Sequence, residues 1–362
     1  AVVPAELAAG IQYPVLIKAI AGGGGRGIRL AVCPQELHPM IEAARAEARA
    51  AFGDDTVYLE SLVQQARHIE VQILGDGKGK VLSLGERECS LQRRRQKLVE
   101  EAPASGLSSE MRRQIWDAAL RLGHHLNYRS LGTVEFLLDK EGNFFFIEVN
   151  PRIQVEHPVT EMVTGIDLVK EQLRLALGEP LGLTQKQVVQ RGAAIEARIL
   201  AEDSEQGFLP SIGQIVHLKE PGGPGVRVDS HLYIGMQVTT DYDSLLAKLI
   251  VWDNDRPSAI KRLRRALQEF QISGVATDQQ FLLQLISSPD FVSGNVDTTY
   301  LEHFTPQADD CGQVLESEIA LAAAIFAHRK KEQQNHQPNK RSIIHSPWQA
   351  AAWLEQMRGN RS

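Results

Sequence analysis

The chain has 362 residues, 43% hydrophobic and 23% charged. Its length predicts two or three domains, and its composition excludes collagen-like, disulfide-scaffold and wholly disordered classes. The formal net charge of -6 argues against a general nucleic-acid role, and no apolar run approaches the roughly 18 residues of a membrane span. Cys33, Cys89 and Cys311 lie far apart and form no metal or redox spacing, which fits a reducing compartment.

Tyr13 to Ala19 is an apolar, β-branched run that predicts a buried strand. Gly22 to Gly25, Arg26 and Gly27 follow, and Ile28 to Val32 alternates as a second strand should. A helix is predicted from Pro34 to Ala51, with Gly53 just past its end. Strands are expected at Val57–Val63, His68–Leu74 and Lys80–Leu84, and a helix from Ser109 to Leu126. A hairpin runs from Gly132 to Leu138 and back through Asn143 to Asn150, followed by a helix over Ile166 to Ala176. A second block, Arg191 to Phe304, mixes strands and helices and has a Gly/Pro turn at Pro221 to Gly225. Intermixed rather than strictly alternating elements predict an α+β fold. Glu316 to His328 is Ala-rich and helical in pattern, and the basic, Gln/Asn-rich stretch from His328 to Arg341 reads as a tether.

The glycine loop matches G-x-G-x-x-G, but a strand follows it where the dinucleotide fingerprint needs a helix. What remains is a strand–glycine loop–strand unit with Lys18 on its first strand. It suits either phosphate contact by a closing lid or a mobile hairpin tip. Glu135 and Glu148 each interrupt an apolar strand. An even-numbered loop centred on Glu141-Gly142 would set the two carboxylates directly opposite each other. Like charges so placed call for a cation between them, with Asn150 as a third oxygen ligand. Oxygen donors favour Mg²⁺ or Mn²⁺. The alternative is one buried and one exposed glutamate. In the loop from Asn150 to Pro158, Arg152 can hold an oxyanion and Glu156 can act as a base, or the segment is a solvated turn. Gln92 to Lys97 reads as a solvated basic face or an anion site, and Arg227 is equally open.

Several segments together resemble biotin carboxylase, an ATP-grasp enzyme, above all the form that opens the α subunits of acyl-CoA carboxylases. They are YPVLIKAIAGGGGRGIRL, ARHIEVQILGDGKG, ERECSLQRRRQKLVEEAPAS, GTVEFLLDKEGNFFFIEVNPRIQVEHPVTEMVTGIDLVKEQ, PGGPGVRVDSHLYIG and DYDSLLAKLIVW. The resemblance runs from about Ile11 to Phe304. It implies an ATP-grasp fold followed by a biotin carboxylase C-terminal domain. The divisions would be a lid subdomain over 1–63, an ATP-grasp core over 64–187, the C-terminal domain over 188–306 and a helical, basic linker over 307–362.

The activity implied is ATP-dependent carboxylation of biotin with bicarbonate through carboxyphosphate. By position, Lys18, Gly24 and Gly25 would contact ATP phosphates. Glu60, Ser61, Leu62 and Val63 would form the hinge that reads adenine, and His68, Gln92 and Arg95 would line the nucleotide pocket. Glu135, Glu148 and Asn150 would hold Mg²⁺ or Mn²⁺, the two glutamates also meeting ATP through the metal. Lys97, Arg152, Gln154 and Val155 would cradle bicarbonate, Glu156 would remove its proton, and Arg227 would serve biotin. The implied partners are a biotinyl carrier domain and a carboxyltransferase subunit, in a homo-oligomeric parent. The implied location is cytoplasmic, or the mitochondrial matrix in a eukaryote. Arg95 stands at a position that varies among relatives. The family's first α/β domain and its biotinyl Met-Lys-Met signal are not in this sequence, which predicts a piece of a longer protein.

Overall fold

The computed structural model describes residues 13–21, 28–306 and 319–329. The chain forms two units, Ala1–Pro306 and Gln307–Ser362. In the second, residues 319–329 are helical, in line with the Ala-rich pattern, and the basic stretch beyond Arg329 lies outside the described residues.

The first unit opens with β1 (Val15–Ala19), β2 (Arg29–Ala31), α1 (Pro34–Phe52) and β3 (Val57–Ser61). The strands form an antiparallel sheet in the order β2-β1-β3. Helix α1 presents Leu37, Ile41, Ala44 and Ala48 at helical spacing to Val15, Ile17 and Val57 of that sheet. It ends at Gly53, whose φ of 76° supplies the left-handed cap that its N–H needs to reach Arg49 O. Gly24 and Gly25 lie outside the described residues.

Next come β4 (Arg67–Asp76), β5 (Val81–Arg93), β6 (Gln96–Ala102), α2 (Ser109–His125), β7 (Arg129–Leu138) and β8 (Phe144–Asn150). They are followed by α3 (His157–Thr164), α4 (Leu168–Ala176), β9 (Ala193–Leu200), β10 (Val226–Ser230), β11 (Leu245–Asp253), α5 (Arg256–Glu269) and α6 (Gln279–Ser287). The long strands build one eight-stranded sheet in the order β10-β11-β9-β6-β5-β4-β7-β8. Several short two-stranded pairs complete the second block. The Ser108 hydroxyl accepts the Met111 N–H at 3.1 Å and so caps α2, a contact worth about 1 kcal/mol.

Period-2 alternation sorts the central strands onto two faces. Ile69, Val71 and Ile73 of β4 join Val134 and Phe136 of β7 in a core against Ile115 and Ala119 of α2. The alternate residues face the other side. There Leu74 and Leu131 pack with Leu168 and Leu175 of α4, and His68, Glu70 and Gln72 take the remaining positions on β4. This is why HIEVQIL reads as alternating yet is buried throughout.

Two sequence expectations change here. The strand expected at Lys80–Leu84 continues to Arg93, since ERECSLQ is a buried strand despite its charges. The run from Gln92 to Lys97 is not one solvated face. It is the tip of the β5–β6 hairpin, with Arg94 and Arg95 at φ 50° and 66° between the paired residues Arg93 and Gln96. That turn sends Lys97 back into the protein, where its side chain is 12% exposed.

Candidate active site

The β7–β8 hairpin closes with Leu138 opposite Phe144, leaving the odd-numbered loop 139–143 rather than the even one expected. By itself that loop would slide Glu135 off Glu148. One extra residue, Ile147, bulges between the pairs Phe136–Phe146 and Glu135–Glu148, and the two carboxylates return to direct opposition. Asn150, opposite Thr133, shares their face. Its Nδ2 lies 2.9 Å from Glu135 Oε1 and 3.3 Å from Glu148 Oε1, so two carboxylate oxygens converge on one point. Turning the Asn150 amide would place a third oxygen there. This hard-oxygen set fits Mg²⁺ or Mn²⁺.

On the same face, deeper in the protein, lies a buried cluster centred on Lys97. Its Nζ donates to Glu70 Oε2 and Glu156 Oε1, both at 2.6 Å, and to Glu135 Oε1 at 3.3 Å. Two groups of metal-capable side chains, His68–Glu70–Glu135 and Glu70–Cys89–Glu156, lie within this region. In both, the Lys97 ammonium already supplies the positive charge between carboxylates. Burial opposes that charge, but the surrounding carboxylates hold Lys97 well above the ordinary lysine range. Burial also opposes ionisation of Glu70, yet Arg87 and Lys97 bring it down to about 2. Glu135 is likewise held at about 2, against its burial, by hydrogen bonding from His68, the Lys97 charge and the Gln154 amide. Burial pushes the Cys89 thiol up, so it stays protonated.

Arg87 organises this cluster from beneath and is fully buried. Its guanidinium donates to Glu70 Oε1 at 2.5 Å, Gln72 Oε1 at 2.7 Å and Thr160 Oγ1 at 2.9 Å. It also reaches Thr133 Oγ1 and Gln154 Oε1, both at 3.3 Å. Gln154 Nε2 in turn donates to Glu135 Oε1 at 3.0 Å.

The loop leading into α3 brings the other expected residues to the same place. Glu156, 2% exposed, meets Lys97 on one oxygen and Arg198 Nη2 at 3.0 Å on the other. Arg152 is exposed and reaches Ile153 O and Asn150 Oδ1. The Val155 carbonyl accepts from Lys248 Nζ at 2.9 Å. His157 Nδ1 meets Gln154 O at 2.8 Å, and burial pushes this imidazole below its ordinary value. On β4, His68 Nε2 lies 3.1 Å from Glu135 Oε2 and His68 Nδ1 lies 2.5 Å from the Gln92 amide.

Arg227 stands in a second polar cluster. Asp229 takes its Nε and Nη2 at 2.7 and 2.8 Å, and Glu161 of α3 takes Nη1 at 2.7 Å. These hydrogen bonds raise its already high pKa further. Lys248, bound to Val155 O, also lies 3.4 Å from Asp229, which links Arg227 to the Glu156 loop. On the smaller sheet, Lys18 Nζ donates to Glu60 Oε1 at 2.6 Å, and Ser61, Leu62 and Val63 continue from that strand. Arg95 sits at the hairpin tip. Glu70, Arg87, Glu161, Arg198 and Lys248 were not singled out in the sequence. Glu70, flanked by Ile69 and Val71, carries the signal that marked Glu135. Arg87 stands among Glu86 and Glu88, and Arg198 shares its strand with Glu196, so neither stands out in the sequence.

Residues 4–184 match the family model for the carbamoyl-phosphate synthase L chain, ATP binding domain, and residues 196–303 match that for the biotin carboxylase C-terminal domain. A biotin carboxylase from Nostoc sp. is 54% identical over 297 residues, covering 82% of this chain and 66% of the relative. Biotin carboxylase 1 from Bacillus subtilis is 49% identical over 300 residues, covering 83% of this chain and 67% of the relative. The chain belongs to the biotin carboxylase family. A solved structure of the biotin carboxylase domain dimer of the Hydrogenobacter thermophilus 2-oxoglutarate carboxylase, in complex with MgADP, ADP and bicarbonate, superimposes with a TM-score of 0.79. It is 48% identical, and the match covers 82% of this chain and 66% of that one. The fold is therefore an ATP-grasp domain followed by a biotin carboxylase C-terminal domain, α+β as expected. The chain spans between about half and two thirds of the length of the curated relatives it matches. No helix among the described residues is long and apolar enough to cross a membrane.

Proposed function

We propose that this chain carries the site for ATP-dependent carboxylation of biotin by bicarbonate, the first half-reaction of a biotin-dependent carboxylase. The observation that carries the reading is Lys97, which joins Glu156 to Glu135. A buried carboxylate is thereby set beside a paired-carboxylate, oxygen-lined position suited to a divalent cation.

In this reading Lys97, Arg152, Gln154 and the Val155 backbone hold bicarbonate, and Glu156 takes its proton. The freed bicarbonate oxygen attacks the γ-phosphorus of ATP as the bond to ADP breaks, giving carboxyphosphate and ADP. Carboxyphosphate then divides into CO₂ and phosphate, the phosphate takes the N1 proton of biotin, and the resulting ureido enolate, held near Arg227, bonds through N1 to the CO₂. Mg²⁺ or Mn²⁺ at Glu135, Glu148 and Asn150 would neutralise phosphate charge and align the transferring group. Lys18 and the glycine loop would cover the phosphates. Glu60 to Val63, with His68, Gln92 and Arg95, would accept the nucleoside. Glu156 is suited to its part because Lys97 and Arg198 each hold one of its two oxygens and fix the carboxylate in a buried position.

Biotin would arrive on a carrier domain, and a carboxyltransferase component would consume the product. Relatives such as the α subunit of mouse methylcrotonoyl-CoA carboxylase and the H. thermophilus domain dimer favour a homo-oligomeric, multi-component assembly. The test is ADP release by the purified protein with and without bicarbonate and free biotin. Bicarbonate-dependent, biotin-stimulated ADP release is expected. Release that ignores biotin would favour another ATP-grasp ligase, and nucleotide binding without release would reduce the chain to a binding module.

A further inference from the structure

A row of directly opposed residues crosses four strands beside the site: Arg227 on β10, Ile250 on β11, Glu196 on β9 and Glu100 on β6. Both glutamates have no solvent exposure. Their face of the sheet is covered by α3, where Ala102, Val159, Val163, Ala194 and Ile250 form an apolar cluster. Arg198 Nε donates to Glu100 Oε1 at 2.6 Å, while Glu100 Oε2 and both oxygens of Glu196 have no hydrogen-bond partner among the described residues. The same Arg198 donates Nη2 to Glu156 Oε2 at 3.0 Å. Arg198 offsets the charge of Glu100, but Glu196 has neither a donor nor a cation on its two oxygens among the described residues, so burial beside a second carboxylate favours one proton on the pair.

We propose that Glu100 and Glu196 share one proton and, through Arg198, act as a positioning pair for Glu156. When the pair carries one negative charge, Arg198 divides its attraction between Glu100 and Glu156. When Glu100 is neutral, Arg198 serves Glu156 alone and binds its carboxylate more tightly. The pair would therefore tune the base without touching substrate.

The electrostatics agree with the geometry. Burial pushes Glu196 well up, and the opposing Glu100 adds to the shift. Burial raises Glu100 to about 7 even with Arg198 drawing it down. The other charged or titratable groups around the pair are Lys97 on β6, Arg87 and Cys89 on β5, Lys248 on β11 and Arg227 on β10. The end of α3 adds Glu156, His157 and Glu161. None of these donates a hydrogen bond to Glu196, so none replaces the shared proton.

The role rests on reading Glu156 as the base, and the test separates the two claims. Infrared spectra of the full chain at neutral pH should show a buried protonated carboxyl band that disappears in Glu196→Gln, or in Glu196→Met if the amide variant does not fold. In Glu100→Gln the acidic limb of the pH profile for bicarbonate-dependent ADP release should move to lower pH by roughly one unit. A band unchanged by both Glu196 variants would overturn the shared proton, and an unmoved limb in a folded Glu100→Gln would overturn the link to Glu156. If the unaltered protein shows no bicarbonate-dependent turnover, the proposed function fails, and the infrared result still decides whether the proton is there.

Discussion

Glu135 and Glu148 face each other across adjacent strands only because Ile147 bulges out of the ladder between them and the hairpin turn. With no cation present, the opposed charges weaken the β7–β8 pair, and the Asn150 amide offsets part of that repulsion. Glu148→Gln should therefore stabilise the metal-free protein by about 0.2–1 kcal/mol while weakening Mn²⁺ binding measured by calorimetry. Loss of stability in chelator, or unchanged Mn²⁺ affinity, would show that the pair is not a cation site.

Lys97 is ion-paired with three carboxylates in a buried space. Lys97→Met should destabilise the fold by roughly 3–5 kcal/mol, because Glu70 and Glu156 lose their shared cation. Urea denaturation measures this directly, and an unchanged midpoint would mean that water or a rearranged Arg87 already satisfies the cluster.

Arg87 spreads one guanidinium over five side chains, which a lysine ammonium cannot match. Because one of them is Gln154, Arg87→Lys should raise the KM for bicarbonate about tenfold with a smaller change in the KM for ATP. An equal rise in both would point to general loosening rather than to the Gln154 contact.

Glu135 and Glu148 were legible as single charges in apolar runs. Only Glu135 is buried, however, and Glu148 is exposed on the edge strand, the alternative the sequence had left open. The network that makes them a site was not legible. Arg198 meets Glu100 across 98 positions of sequence, and Arg87 draws partners from β4, β7, α3 and the loop before it, so no local pattern announces the contacts. The β5–β6 turn was also silent, since Arg94 and Arg95 adopt a conformation usually signalled by Asn-Gly. The pairing of Glu135 with Glu148 was anticipated through the wrong loop length, and the bulge that restores it leaves no mark in FFFIEVN.

Glu70 gives the fold an acid dependence of known sign. Its folded value of about 2 lies below the ordinary 4.5, so its contribution is full above that ordinary value and is lost as pH falls toward 2. Stability of the unaltered protein should drop across that window, and the slope should be shallower in Glu70→Gln. Parallel slopes would assign the acid lability to other carboxylates.

In the proposed reaction a bicarbonate oxygen, activated by Glu156, attacks the γ-phosphorus of ATP. Turnover with heavy-oxygen bicarbonate in ordinary water, followed by mass analysis of the released phosphate, tests it most directly. Each phosphate formed should carry a single heavy oxygen, and the turnover rate should fall at least about a hundredfold in Glu156→Gln. Unlabelled phosphate, released at the same rate with or without bicarbonate, would contradict it.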